Sequence, residues 1–281
     1  MGKLFVVSTP IGNLEDLTRR AERVLSEVPH VLAEDTRRTS VLLRHIGVTS
    51  ELTSLHAHNE ASRKARVLDW LRRGESVALV TDAGTPLVSD PGARIVQAAL
   101  DAGHEVVAIP GASAVLTALV TSGLPAERFT FLGFLPRRGG ERDRLLDRIA
   151  VSEDTAVLFE SPERLVGLLK DLEEVCGPER RVAVGRELTK VHESVVRGTL
   201  AEASRYYEDS APRGEVTVVL EGASARESPD VVDQEAARAL ARALLADGAS
   251  PSRAAKEIAK RLSLPRNLAY DVVQEAKERD R

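Results

Sequence analysis

The segment Val80–Gly92, VTDAGTPLVSDPG, packs turn-forming residues around two carboxylates, Asp82 and Asp90, and contains no lysine or arginine. An apolar run precedes it and an amphipathic run follows. That places it beyond the carboxyl end of a buried strand, where open α/β sheets bind ligands. Four more polar or glycine-rich loops have the same expected position: TPIGNLED (9–16), AEDTRR (33–38), HAHNE (56–60) and PGASA (110–114). None has the G-x-x-x-x-G-K-[ST] spacing of a nucleoside-triphosphate cradle or the G-x-G-x-x-G of a dinucleotide site. A phosphate beside Asp82 and Asp90 would be repelled. A ligand with hydroxyls, an amine or a positive charge suits the loop, and S-adenosylmethionine has all three. Tight Gly and Pro turns let backbone groups approach such a ligand closely. Asp82, at the strand's end, is the candidate ligand group. Asp90-Pro91 is expected to start the next helix, with Asp90 as N-cap and Pro91 at the first helical position.

The elements that must position these loops follow from periodicity. Short apolar runs at 3–9, 30–35, 76–82 and 105–111, with a weaker one near 51–60, read as strands. Amphipathic stretches between them, several ending at a glycine, read as helices. Strand–helix alternation with short connections predicts a parallel sheet covered on both faces. After 123 the texture changes: strand signals at 129–135, 155–160, 181–188, 192–198 and 215–222 predict a mixed sheet, with two strands tightly joined across 181–198. A polar linker at 223–230 leads to three helical segments, with Ser250 and Pro265 marking helix starts. The fold class is α/β in two domains with a small helical extension. Expected boundaries are 1–122, 123–223 and 224–281.

Composition narrows the class. Apolar residues make up 43% and charged residues 29% of the 281, as in a globular protein. No apolar stretch approaches the roughly 20 residues of a membrane span, and the N-terminal apolar run breaks at Pro10, unlike a signal peptide. The single cysteine, Cys176, rules out a disulfide framework and fits a reducing cytoplasm. A net charge of −4 argues against nucleic-acid coating by bulk charge but leaves room for a local basic patch. Only 3% of residues are aromatic, which disfavours a binder built on stacked aromatic platforms.

STPIGNLED, LAEDTRRT, LHAHNE, TDAGTPLVSDPG, PGASAVLTAL, FLGFLPRR, LFESPERL and GRELTKVHE occur in this order. Together they resemble the ribosomal RNA small subunit methyltransferase I family of the tetrapyrrole methylase superfamily. The resemblance spans both α/β domains, and the tail resembles that family's helix-turn-helix-like extension. It implies an S-adenosylmethionine-dependent ribose 2′-O-methyltransferase acting on one cytidine in the decoding region of 16S rRNA, within the small ribosomal subunit. It also implies a homodimer and a cofactor cleft between the domains. The cofactor contacts it implies are Pro10, Gly12, Asp82, Gly84, Thr85, Val88, Ser113 and Ala114, with Phe159, Glu160, Leu188 and Glu215 from the second domain. The chain departs at Glu163, where the family motif usually carries histidine. A methyltransferase of small tetrapyrroles and a non-catalytic RNA-binding assembly factor are the alternatives. The basic loops and tail argue against the first, and the intact Gly/Pro loops against the second.

Transfer to a ribose hydroxyl needs alignment and a proton acceptor. His56, His58 and Glu60 are the candidates, with His58 or Glu60 expected to take the proton or hold the 2′-hydroxyl. The two histidines, two apart, also invite a metal reading, but no third ligand completes a pattern, and no metal is expected. Glu34 and Asp35 are expected to organise Arg37, leaving Arg37 and Arg38 to grip phosphates. A basic loop at 136–144 contributes Arg137, Arg138 and Arg142. In the tail Arg253, Lys256 and Lys260 share one helical face.

Overall fold

The computed structural model describes residues 2–56, 59–210, 212–223, 234–247, 249–262 and 266–279. Contacts divide the chain into one unit of residues 1–121 with 186–194, and a second of 122–185 with 195–281.

In the first unit, strands β1 (Leu4–Val7), β2 (His30–Ala33), β3 (Glu51–Ser54), β4 (Val77–Leu79) and β5 (Val106–Ile109) form a sheet in the order β3-β2-β4-β1-β5. The strand pairs are parallel. Successive side chains point to opposite faces. Val7, Val31, Ala33, Ala78 and Val80 therefore pack against Val24, Leu25 and Leu43 of helices α1 (Arg19–Glu27) and α2 (Thr36–His45). Leu4, Leu32, Val77 and Leu79 pack on the other face against Trp70 and Leu71 of α3 (Glu60–Arg72) and Ile95 of α4 (Ala93–Asp101). Helix α5 (Ala114–Ser122) follows β5. Parallel pairing puts all the loops that follow these strands along one edge, the candidate ligand edge.

The second unit contains β6 (Phe129–Phe134), α6 (Gly140–Val151), β7 (Thr155–Glu160), α7 (Pro162–Cys176), β8 (Arg181–Arg186), β9 (Ser194–Thr199), α8 (Leu200–Asp209) and β10 (Val216–Leu220). Its sheet order is β6-β7-β10-β8-β9. It is mixed, since β7 pairs parallel with β6 and antiparallel with β10. Leu158, Val182, Val184 and Val218 line one face with Leu146, Leu165, Leu168 and Ala203 of α6, α7 and α8. In the tail, α9 (Gln234–Ala246), α10 (Pro251–Leu262) and α11 (Arg266–Arg279) share a small core of Ala237, Ala241, Ala254, Ile258 and Val273. Ser250 caps α10, its hydroxyl accepting from Arg253 N at 3.4 Å. Pro265 lies outside the described residues. Among the described residues no helix is long and apolar enough to cross a membrane.

The helix after the acidic loop starts later than expected. Its N-cap is Gly92, at φ +124°, with no side-chain capping bond. A Cβ on Gly92 would lie 2.6 Å from Leu79 Cδ2. Closure of the loop onto the sheet core therefore demands glycine there and leaves Asp90 before the cap.

Candidate functional site

The loops after β1, β4 and β5 are tied together. Thr9 N donates to Gly84 O at 2.9 Å and Gly84 N returns a bond to Thr9 O at 3.1 Å. Thr9 Oγ1 donates to Thr81 O at 3.1 Å, and the hydroxyls of Ser8 and Thr85 meet at 3.0 Å. Gly84 holds φ +86°, a conformation costly for any residue with a Cβ. At the β5 turn, a Cβ on Gly111 would stand 2.9 Å from Ser8 Cβ. Leu87 (φ +74°) and Ser89 (φ +70°) are left-handed without being glycine. Such strain collects where a loop is held in one shape for a ligand.

The carboxylates extend the network to the loop after β2. Asp82 Oδ1 accepts from Asp35 N at 2.9 Å, and its Oδ2 lies 3.7 Å from Arg38 Nε. Thr81 Oγ1 donates to Glu34 Oε2 at 2.9 Å. Asp90 turns inward instead of capping α4. Burial first, then the negative charges of Glu34 and Asp82, push its carboxyl up to about 6 against the pull of a hydrogen bond with Thr81. The result is a glycine-rich edge carrying Glu34, Asp82 and Asp90. Its donors and acceptors are mostly backbone and hydroxyl, and an organic cation with hydroxyls fits it better than a polyphosphate does.

The cofactor candidates of the first unit stand on this edge: Pro10, Asp82, Gly84 and Thr85 are buried or half-buried, while Gly12 and Val88 are exposed. Ser113 and Ala114 are half-buried at the start of α5. Leu188, expected in the second domain, groups with the first unit and is buried. In the second unit Phe159 packs edge-on against Phe131 at 4.9 Å between ring centroids. Glu160 is buried. Its side chain is 0% exposed, one oxygen accepting from Ser161 N at 2.8 Å and the other 3.1 Å from Arg164. It braces the β7–α7 turn. Glu215 is exposed just before β10, whose Val216 is in register with Glu160. Glu163 is exposed on the first turn of α7.

His58 lies outside the described residues. His56 is exposed, and Asn59 ties it down, donating from Nδ2 to His56 Nε2 at 3.0 Å while Asn59 Oδ1 accepts from His56 N at 2.9 Å. Glu60 does not present itself to a substrate. It is 7% exposed, and its Oε1 accepts from Arg94 N at 2.7 Å, supplying the capping bond that Gly92 cannot give α4. Among the described residues no group of three or more His, Cys, Asp or Glu could hold a metal ion.

Asp35 caps α2 through Arg37 N at 2.9 Å and grips the Arg37 guanidinium at 3.0 and 2.7 Å. Those bonds hold its carboxyl down at about 2. Arg37 and Arg38 remain exposed. Arg137 and Arg138 are exposed, but α6 begins at Gly140, so the basic loop is shorter than expected. Arg142 is another correction: it is 9% exposed, bonded to Asp171 at 3.0 and 2.5 Å and to Pro136 O at 2.9 Å. It fastens α6 to α7 and has no surface for RNA. Arg253 and Lys256 are exposed on α10, and the Lys260 side chain lies outside the described residues. Sequence reasoning passed over Ser8, Thr9 and Thr81, whose hydroxyls join the loops; their only signal is their place just past an apolar strand.

The described residues thus form two α/β units, one on a parallel sheet and one on a mixed sheet. A family model described as Tetrapyrrole (Corrin/Porphyrin) Methylases matches residues 3–204. The chain is 43% identical over 272 residues, 97% of either chain, to Ribosomal RNA small subunit methyltransferase I of Synechocystis sp.. It is 47% identical to the protein of the same name from Thermotoga maritima, covering 79% of this chain and 99% of that one. Among solved structures it is similar to uroporphyrin-III-C-methyltransferase from Thermus thermophilus, at 27% identity and TM-score 0.56, covering 78% of this chain and 94% of the other. A uroporphyrin-III C-methyltransferase structure from the same organism, at 24% identity and TM-score 0.56, is a complex with S-adenosylhomocysteine; it covers 78% of this chain and 97% of that one. The chain belongs to the ribosomal RNA small subunit methyltransferase I family of the tetrapyrrole methylases.

Proposed function

We propose that the chain transfers a methyl group from S-adenosylmethionine to the ribose 2′-oxygen of one cytidine in the decoding region of 16S rRNA, with the small ribosomal subunit as substrate. Identity to family members over nearly the whole chain supports the rRNA substrate. The observation that carries the chemistry is the stitched edge of the parallel sheet, where Ser8 and Thr9 of the loop after β1 bond to Thr85 and Gly84 of the loop after β4, beside Asp82.

The residues present fit the cofactor. Gly84 and Gly111 keep side chains out of the loops, leaving backbone groups open to an adenine or a methionyl chain. Asp82 and Asp90 offer carboxylates to ribose hydroxyls or an ammonium. The bound cofactor supplies an activated methyl on a sulfonium that is already a good leaving group. The chain's task is to align the attacking oxygen and exclude water, and alignment can supply much of the acceleration. Glu60 belongs to the scaffold, so the proton acceptor is His58 or solvent. Arg37, Arg38, Arg137, Arg138, Arg253 and Lys256 are the proposed phosphate contacts. We place the protein in the cytoplasm as a homodimer. Leu116 and Val120, 52% and 74% exposed four residues apart on α5, support self-association.

Small subunits lacking the modification, incubated with the protein and S-adenosylmethionine labelled in its methyl group, should gain label in 16S rRNA. No label, together with no binding of S-adenosylhomocysteine by calorimetry, would remove both the enzymatic reading and its cofactor.

A further inference from the structure

The chain has five phenylalanines, and four of them, Phe129, Phe131, Phe134 and Phe159, lie on the paired strands β6 and β7. Aromatic residues are too few for a binder made of many platforms, so their concentration on one strand pair is informative. Residues three apart on a regular strand point to opposite faces. Phe131 and Phe134 are brought to the same face. Phe131 is in register with Val157 and Gly133 with Leu158, so two steps along β6 match one along β7. Leu132 is the extra residue of a β-bulge, and Gly133 takes the positive φ, +61°, beside it. Phe134 then stands in register with Phe159. The Phe159 ring lies 4.9 Å from that of Phe131 and 5.6 Å from that of Phe134, between centroids. By alternation this is the sheet face turned away from Leu158 and the helices packed on it.

The backbone just beyond Phe134 is held by the two helices α6 and α7. Leu135 is buried in the core, and its carbonyl oxygen accepts from Arg164 Nη2 of α7 at 2.9 Å. The next carbonyl, that of Pro136, accepts from Arg142 Nη1 of α6 at 2.9 Å. Glu160 and Asp171 anchor those two guanidinium groups in turn. Phe134 is 55% exposed on this fixed corner, and the exposed Arg137 and Arg138 follow it. A ring already held in place by its neighbours loses little freedom when a flat partner settles on it.

We propose that Phe134 is a stacking platform for an unpaired base of the RNA substrate. Unpaired RNA is bound by laying its bases on aromatic rings, with basic side chains beside them on the phosphates. Phe134 supplies the ring, and Arg137 and Arg138, three and four residues further on, supply the charge. The bulge aims the ring, and the arginine-held carbonyls fix the corner that carries both. A phenyl ring stacks without hydrogen bonding, so it holds a base without choosing which one. The inference deepens the RNA reading given above and rests on it.

Phe134→Leu keeps apolar bulk and removes the aromatic face. Titration with unmodified small subunits should show it binding about tenfold more weakly, the loss expected of one base stack. The log–log salt dependence of that binding should stay as in the wild type, because no phosphate contact is removed. Phe134→Tyr and Phe134→Trp should restore the affinity, which a residue that merely fills space would not require. Calorimetry with S-adenosylhomocysteine should give the wild-type affinity for every variant. If Phe134→Leu melts early, Phe134→Met provides the same comparison. A Phe134→Leu protein that melts like the wild type and binds small subunits equally well overturns the proposal. So does an equal loss of S-adenosylhomocysteine affinity, which would give the ring to the cofactor, or a smaller species in sedimentation, which would give it to a second copy of the chain. Wild-type protein that neither binds nor labels small subunits would instead overturn the RNA reading on which the inference rests.

Discussion

Asp90 and Asp35 lie in neighbouring loops and depart from ordinary carboxyls in opposite directions. Asp90 is raised to about 6 by burial and by Glu34 and Asp82; Asp35 is lowered to about 2 by Arg37. A raised carboxyl binds its proton more tightly in the folded chain. Its contribution to stability is therefore present below the ordinary value of 3.8 and is lost as pH rises through about 6. Asp90→Asn, which mimics the protonated form, should melt at a higher temperature than the wild type at pH 8, with the gap much narrower at pH 4.5. Thermal melts of the pair at both values check this, and a gap of equal size at both would refute the assigned cause. Asp35 behaves oppositely, stabilising above its ordinary value and losing that contribution as pH falls towards about 2. Asp82 and the Gly84 turn read in the sequence as a candidate ligand site because acid without base, at a strand's carboxyl end, disfavours phosphate. Asp90 was misread because Asp-Pro is a strong local helix-start signal. The fit of Gly92 against Leu79 is a tertiary fact with no local trace.

Helix α4 is an element whose start is set from outside itself. Gly92 provides the turn, and Glu60, on another helix, provides the cap. Gly92→Ala should destabilise the fold by about 1–3 kcal/mol, since the positive φ and the Leu79 contact both resist a Cβ. A urea titration measures it. Helix α6 teaches the same lesson about charge. Arg142 reads in sequence as one more basic residue among Arg137, Arg138 and Arg144, yet it is fixed to Asp171 of α7. Arg142→Ala should cost about 1–3 kcal/mol, less than a fully buried pair because Asp171 is 42% exposed and can rehydrate. It should leave the salt dependence of subunit binding unchanged, whereas Arg137→Ala and Arg138→Ala should each make it shallower while leaving stability nearly intact. Strand and helix existence was readable from periodicity throughout. Which charges face inward was not, because the partner lies 29 residues away in sequence.

At the scale of the whole molecule, strand alternation and the change of texture near 123 gave the two α/β units with helices beyond them. The contact division adds what no local pattern carries: the 186–194 loop belongs with the first unit. The Lys190 stem lies against Gly12 of the β1 turn for that reason, and its motif, GRELTKVHE, is in the sequence only a point of resemblance. The helical tail has its own small core and presents Arg253 and Lys256 outward. Reversing both charges should raise KM for small subunits severalfold and leave S-adenosylhomocysteine binding unaltered, as calorimetry beside subunit titration would show. The central claim is methylation of one ribose. The direct measurement is nucleotide-resolution mapping of 16S rRNA after reaction on unmodified small subunits, reading protection from alkaline cleavage. The account predicts one new protected site, 3′ to a cytidine in the decoding region, dependent on S-adenosylmethionine and on the protein. Methyl label carried on a base, with no new protected site, would contradict it.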